Sequence, residues 1–512
     1  MKYFRRPDLS PVARLRMALE MSCRDFSGWG RVSALARRYG VSRQFLYDNE
    51  ALLLRPFAPE GSPPGVITDE AVHRLILCIR MHCNGSVAGI SKTLEEMGWG
   101  PSSAGHVSEF LAAAASACPA PDLPRGAAVA LMLDEIFANG EPILVVLDAA
   151  SHSILDIAPM PDRKSGRWEE ALRRLQEAGV DIGLLVKDQG SSLKAAAQAL
   201  GLAERADLFH LLKPFDPYLA SLERHAYGAM EEESERARVF VGRKREETLR
   251  GCLADYEAAC KVTLRAMRAF DNYDYLHVCL HEAFDSFTPE GVPRTKTMAE
   301  GDVEAVLALM ASEFPSHAGI RAAVKSLRKS LPDYWDCFEQ LGRVIRGQSG
   351  ILTEHTLRAC CLAWQLDRKA MAVKSPKLKR QLSRKSKEYM DLALTGAGGD
   401  MKAAVKALFS ELDSNVRSSS PLEAINSIIR NYLNACRGQT TGEALGMLAF
   451  FLNHRKAARG KYAGSSACER MTGRKDTASP IDLLLEATKR AQKLSVRSRA
   501  GVPPATGLQG VA

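Results

Sequence analysis

Asp134 interrupts a run that is otherwise almost wholly apolar, from residue 127 to Phe137. An unpaired carboxylate in such a strand costs several kcal/mol or more, so the position calls for a cation partner, a proton or a metal ion. Asp188 follows a second apolar run, 182–186, and precedes a Gly190-Ser191-Ser192 turn. Strand ends of this kind hold ligands in α/β sheets, and an Asp there also serves to open a strand-to-helix turn. Glu423 stands in Ser420-Pro421-Leu422-Glu423, which reads as a capping box with proline at the first helical position. Each acid alone has an ordinary structural explanation. The order strand-Asp, strand-Asp, helix-Glu is what makes them candidates as a set. Glu135 should face the other side of its strand and is excluded, and Asp148 reads as a turn residue closing the next strand.

The elements that would position these acids are legible from periodicity. After the 127–137 strand, Asn139-Gly140 is a strong hairpin signal. Strands are expected at 143–147 and 153–160, a helix at 167–178, a strand at 182–186, a helix at 192–200 and a short fifth strand at 208–211. This predicts a mixed five-stranded sheet with the acids at its carboxyl edge. Residues 215–410 carry no convincing strand and read as an all-α insertion of about 190 residues, a length uncommon without a function.

Toward the amino terminus, residues 32–47 have the layout of a helix-turn-helix. Ala36 allows close approach, Gly40 permits the turn, and Ser42 can cap the second helix. Arg37, Arg38, Ser42, Arg43, Gln44 and Tyr47 would then be available to DNA, with Arg43, Gln44 and Tyr47 outward on the second helix. Residues 86–94 and 102–111, broken at 98–101, suggest a second such pair or a plain helical spacer. The expected divisions are 1–65 and 66–122 for the two helical DNA-binding segments, 123–214 and 413–478 for the two parts of the core, 215–412 for the insertion, and 479–512 for a basic, partly disordered tail.

Bulk properties constrain the class without deciding it. The chain has 512 residues, 46% hydrophobic and 25% charged, which suits a multidomain globular protein. The net charge of +9 leans toward a polyanionic partner. No run reaches the roughly 18 apolar residues of a membrane span, and the start lacks a secretory signal. Twelve cysteines without a C-x-x-C pair suggest reduced thiols and a cytoplasmic location. The cluster Lys374, Lys377, Lys379, Arg380, Arg384, Lys385 and Lys387 fits either a solvated helix face or phosphate contact.

Taken with Asp207-Leu208-Phe209-His210, the three acids resemble the catalytic pattern of DDE-type transposases of bacterial insertion sequences. The four-residue motif matches a C/D-x-x-H signature shared with Mutator-like transposases, which also place a helical insertion before the final Glu. Asn426 and Arg430 follow Glu423 at helical spacing, and residues 450–473 resemble the closing segment of many such enzymes. The resemblance covers 127–212 and 413–473. It implies a ribonuclease H-like core and two Mg²⁺ or Mn²⁺ ions, with Asp134 bridging them and Asp188 and Glu423 each holding one. Asp207 and His210 would shape the core or contact DNA. It further implies cleavage and strand transfer at terminal inverted repeats, double-stranded DNA as partner, a homodimer or higher oligomer on DNA, and a nucleoid-associated bacterial protein. A structure-selective nuclease on the same fold, or an inactive helix-turn-helix protein descended from a transposase, are the competing expectations.

Overall fold

The structure, a computed structural model, describes all residues except 1–8, 23–29, 55–66, 189, 243–245, 349, 374, 396–397, 437–440 and 500–512. Lys374 of the basic cluster therefore lies outside the described residues. The chain forms two compact units, one of Met1–Ala120, Ile429–Arg455 and Lys475–Ala512, the other of Pro121–Ile428 and Lys456–Arg474. Among the described residues no helix is long and apolar enough to cross a membrane, and the described cysteines are free thiols.

The first unit is helical. Helix Arg31–Tyr39 ends at Gly40, whose φ of 64° is the left-handed conformation glycine adopts without a Cβ penalty. Ser42 accepts the Phe45 N–H at 3.0 Å and starts helix Arg43–Leu54. Ala36 and Leu46 are buried against Met17 and Met21 of helix Pro11–Ser22. The predicted turn is thus present residue for residue. Helices Val87–Glu96 and Ala104–Ser116 form the second predicted pair, capped by Ser86 and Ser103.

The carboxyl-terminal segment departs from expectation. Residues 480–499, expected in a polar tail, form helix Pro480–Arg499. Ile481, Leu484, Leu485 and Thr488 recur at helical spacing and are buried. Asp482 pairs with Arg74 at 2.5 Å and Lys489 with Glu70 at 2.8 Å. A narrow apolar stripe in a charged segment was enough to dock it.

The second unit contains a five-stranded sheet in the order β3-β2-β1-β4-β5. The strands are β1 (Val129–Ala138), β2 (Glu141–Asp148), β3 (Ile154–Pro159), β4 (Ile182–Lys187) and β5 (Glu204–Ala206). β1, β2 and β3 pair antiparallel, while β4 runs parallel to β1 and β5 parallel to β4. Asn139 and Gly140 both have positive φ, 51° and 84°, as a tight hairpin of this twist requires. Helices Ser165–Glu177 and Ser191–Ala199 cover one face, packing Trp168, Leu172 and Leu193 on Leu131, Leu133, Val146 and Leu185. Each such large buried side chain contributes roughly 1.5–3 kcal/mol.

The fifth strand is not where it was expected. Residues 208–212 are the short helix Leu208–Leu212, capped by Asp207, and the strand lies at Glu204–Ala206. A five-residue apolar run cannot be assigned by periodicity alone. Here Asp207 accepting the Phe209 N–H at 3.0 Å turns it into a helix.

As predicted, the described residues between Asp216 and Ser414 are helical, apart from short connections and an isolated bridge at Phe287 and Pro293. Their core is continuous with Ala206, Leu211, Leu212 and Phe215. Two arginines join this segment to what flanks it. Arg205 of β5, 1% exposed, donates to Asp336 at 2.9 Å, to Gln340 and Asn415 at 3.0 Å, and to the Val416 carbonyl. Arg417 donates to the Tyr334 hydroxyl at 3.0 Å, to Ser286 and to the Phe284 carbonyl.

Candidate active site

Strand register brings the acids of the sheet into one row. Parallel pairing sets Leu133 beside Lys187, and Lys187 beside Ala206. The next residue on each chain is Asp134, Asp188 and Asp207, at the carboxyl ends of β4 and β5 and alongside them in β1. Neighbouring strands are about 4.8 Å apart. Leu133 faces the helix-covered core, so alternation turns Asp134 to the opposite face. Asp134 is nonetheless 8% exposed. Its Oδ1 accepts the Glu135 N–H at 2.8 Å. Glu135 itself points the other way and pairs with Arg163, as strand alternation requires.

Asp188 is half-buried where the chain leaves β4. Its Oδ1 accepts the Gly190 N–H at 2.9 Å, and a Cβ on Gly190 would come within 2.9 Å of the same oxygen. Glycine at 190 is what lets the backbone approach the carboxylate so closely.

Helix Ser420–Ala435 carries Glu423 to this row. Asn426, fully buried, donates Nδ2 to Asp134 Oδ2 at 2.7 Å across 292 residues of sequence. The start of that helix is fixed by Asp207, which is 1% exposed. Asp207 accepts the Ser419 N–H at 2.8 Å and the Ser419 hydroxyl. The predicted capping box on Ser420 is therefore displaced. Ser420 is the first helical residue, and the serine before it is spent on Asp207 instead of the helix backbone.

Asp207 also holds His210, whose Nδ1 lies 2.5 Å from Asp207 Oδ2. The other ring nitrogen, Nε2, is 3.6 Å from Glu423 Oε1, and Lys213 Nζ is 3.8 Å from the same oxygen. An Asp207–His210–Glu423 chain thus runs from the end of β5 to the helix. The four-residue motif singled out in the sequence supplies its first two members.

The charges share one field. Burial pushes the Asp134 carboxyl up to about 6, and the negative charges of Glu423 and Asp188 push the same way against the Glu135 N–H and His210. For His210 burial favours the neutral ring, but the Asp207 hydrogen bond and the charges of Asp207, Asp134 and Asp188 hold its pKa above the ordinary value. For Asp207 burial is outweighed by the hydrogen bonds from His210 and Ser419, which keep its pKa below the usual carboxylate range.

The donor set of Asp134, Asp188 and Glu423 is all oxygen, the chemistry hard divalent cations prefer. Asn426 Oδ1, beside Asp134, is buried without a hydrogen-bond partner. The three carboxylates are not among the trios of ligand atoms lying within 4.8 Å of one another, as those of Asp216, His277 and His281 do.

The remaining sequence candidates fall elsewhere. Asp148 accepts the Ser151 N–H at 2.8 Å in the turn after β2, the role expected of it. Arg430, exposed, belongs to the other unit although it shares the Ser420–Ala435 helix. Arg37, Arg38, Ser42, Arg43, Gln44 and Tyr47 are all exposed in the first unit. Gln44 donates to Asp48 at 2.9 Å and Arg38 pairs with Glu20 at 3.4 Å. Lys377, Lys379, Arg380, Arg384, Lys385 and Lys387 are exposed along helix Pro376–Leu394. Ser419, Lys213 and Arg205 were not singled out in the sequence, and no local pattern marks them. No protein-family model matches the sequence, and no curated protein matches it.

Proposed function

We propose that the chain is a DNA transposase of the DDE type, with a ribonuclease H-like core, that cuts and joins DNA at the ends of its own element. The observation that carries this reading is the arrival of Glu423, 235 residues after Asp188, on the helix whose Asn426 donates to Asp134 at 2.7 Å, with its carboxylate 3.6 Å from His210. The sheet, three antiparallel strands followed by two parallel ones, supports the same fold family. Asp134, Asp188 and Glu423 would hold two Mg²⁺ or Mn²⁺ ions, which activate the attacking oxygen and stabilise the leaving one in phosphodiester chemistry. Asn426 and the Glu135 N–H orient the Asp134 carboxylate. Asp207 orients His210 and the start of the helix that carries Glu423, and His210 and Lys213 offset part of the acid charge.

The partner is double-stranded DNA, bound through Arg37, Arg38, Ser42, Arg43, Gln44 and Tyr47 in the first unit and through Lys377, Lys379 and Arg380 on the basic helix. Two element ends must be held together, which a homodimer or larger assembly provides. The setting is the bacterial cytoplasm, at the nucleoid when bound to DNA. The test is incubation of the full chain with DNA carrying the inverted repeats that flank its reading frame. Strand cleavage leaving 3′-hydroxyl ends, dependent on Mg²⁺ or Mn²⁺, is the expected outcome. Binding without cleavage at any divalent ion concentration overturns the enzymatic part.

The two basic surfaces should separate in their effects. Arg43→Ala with Gln44→Ala should weaken binding to the repeats by about 30-fold or more, since each of the two lost base contacts costs about 1–3 kcal/mol, and leave binding to unrelated DNA nearly unchanged. Lys377→Ala with Lys379→Ala and Arg380→Ala should weaken both equally and flatten the salt dependence by up to about 0.9 per lost phosphate contact. Gel-shift titrations at several salt concentrations decide it. Equal loss on both DNAs from the first pair would deny it a role in base reading.

A further inference from the structure

A second cluster of ligating side chains stands apart from the acid row. Helix Glu246–Ala283 carries His277 and His281 four residues apart, hence on one face a turn apart. Their ring centroids are 4.7 Å apart. Asp216, the first residue of helix Asp216–Val241, meets them, with Oδ1 3.1 Å from His277 Nε2. One ligand atom from each of the three lies within 4.8 Å of the others. A tetrahedral zinc ion with bonds of about 2.0–2.1 Å holds its ligands about 3.3 Å apart, so small side-chain rotations close the difference.

The backbone beneath the three is pinned. Tyr273, fully buried one turn before His277, donates its hydroxyl to the carbonyl of Phe215 at 2.8 Å, and Phe215 precedes Asp216. Leu276 and Leu280, beside the two histidines in sequence, are buried in the same core as Phe215. Asp216 and His281 are exposed and His277 is partly so, which puts the trio within reach of solvent.

We propose that Asp216, His277 and His281 form a binding site for a zinc-class divalent ion, with water as fourth ligand. Two imidazoles and one carboxylate favour a borderline transition ion over Mg²⁺, so this site and the oxygen-only acid row would take different metals. An ion here cross-links the root of the hairpin made by helices Asp216–Val241 and Glu246–Ala283. The site does not depend on the reaction proposed above.

The experiment uses the full chain carrying Asp188→Ala, so that the acid row does not compete for the probe, titrated with Co²⁺ and then Zn²⁺. A single equivalent of Co²⁺ should give the visible absorption of a four-coordinate ion, without the sulfur-to-metal band of cysteine ligation, and Zn²⁺ should displace it. Adding His281→Ala, an exposed position, should remove that absorption and weaken Zn²⁺ binding at least about tenfold. Zn²⁺ should raise the melting temperature of the parent and leave that of the His281→Ala protein unchanged, and Asp216→Ala should behave as His281→Ala does. The absence of the absorption from the parent, or its persistence at the same stoichiometry in the His281→Ala protein, overturns the site.

Discussion

Asp134→Ala is expected to lower metal-dependent DNA cleavage by about 10³-fold or more while binding to the element ends is retained. The carboxylate would contact both ions, and losing several kcal/mol of transition-state stabilisation corresponds to a factor of that size. Asp134→Asn should be equally inactive, yet more stable than the parent in EDTA at pH 7. An acid whose pKa is higher in the folded state binds its proton more tightly there. Folded stability therefore falls as pH rises from about 4 through about 6, the value to which burial and the charges of Glu423 and Asp188 bring Asp134. The rise from 3.8 to about 6 corresponds to roughly 3 kcal/mol at neutral pH, which asparagine removes. Added Mg²⁺ should stabilise the parent and not the variant. Single-turnover cleavage and thermal melts with and without metal read all of this. Cleavage by Asp134→Ala at the parental rate would end the catalytic assignment, and an Asp134→Asn protein melting below the parent in EDTA would refute the cost of burying a charged Asp134.

Asp207→Ala should be the most disruptive single change in the core that touches no apolar side chain. It strips acceptors from the Ser419 N–H and hydroxyl, the Phe209 N–H and His210 Nδ1 at once. Breaking a buried charged network of this kind costs about 3–5 kcal/mol. The Asp207 pKa is depressed, so its contribution is present at neutral pH and is lost as pH falls below the unfolded value near 3.8 through the lower folded one. Because Asp207 acts through Ser419 and His210, the variant should need more Mg²⁺ for half-maximal cleavage, a change that a loss of stability alone would not produce. Urea unfolding and a metal titration of the initial rate provide the check. A protein as stable as the parent with an unchanged metal requirement would show that Asp207 positions nothing.

Most of the row was legible because it rests on short-range rules. Asp134 announced itself by breaking an apolar strand, Asn139-Gly140 fixed the hairpin, and the apolar strand before Asp188 placed that acid at a sheet end. What escaped depends on contacts far apart in sequence. The Leu208–Leu212 run is apolar enough for a strand or a helix, and only the Asp207 cap decides between them. Ser419 and Ser420 are equivalent to a local rule, and the pairing with Asp207 selects the first. Nothing near Arg205 and Arg417 in sequence reveals that Asp336, Asn415, Tyr334 and Ser286 wait for them. The Asp216, His277 and His281 trio needed only the His-x-x-x-His spacing to be noticed, but its carboxylate comes from another helix.

The hydrogen bond from Asn426 to Asp134 also sets a timetable for the growing polypeptide. At about 5–20 residues per second, the ribosome needs roughly 15–60 s to add the 292 residues between them. For that interval the Asp134 carboxylate lacks the Asn426 amide that donates to it in the finished fold. Translation products that end before Ser419 never gain that amide or Glu423, and on the proposed function they would retain the helices Arg31–Tyr39 and Arg43–Leu54 for recognition with no means of cutting.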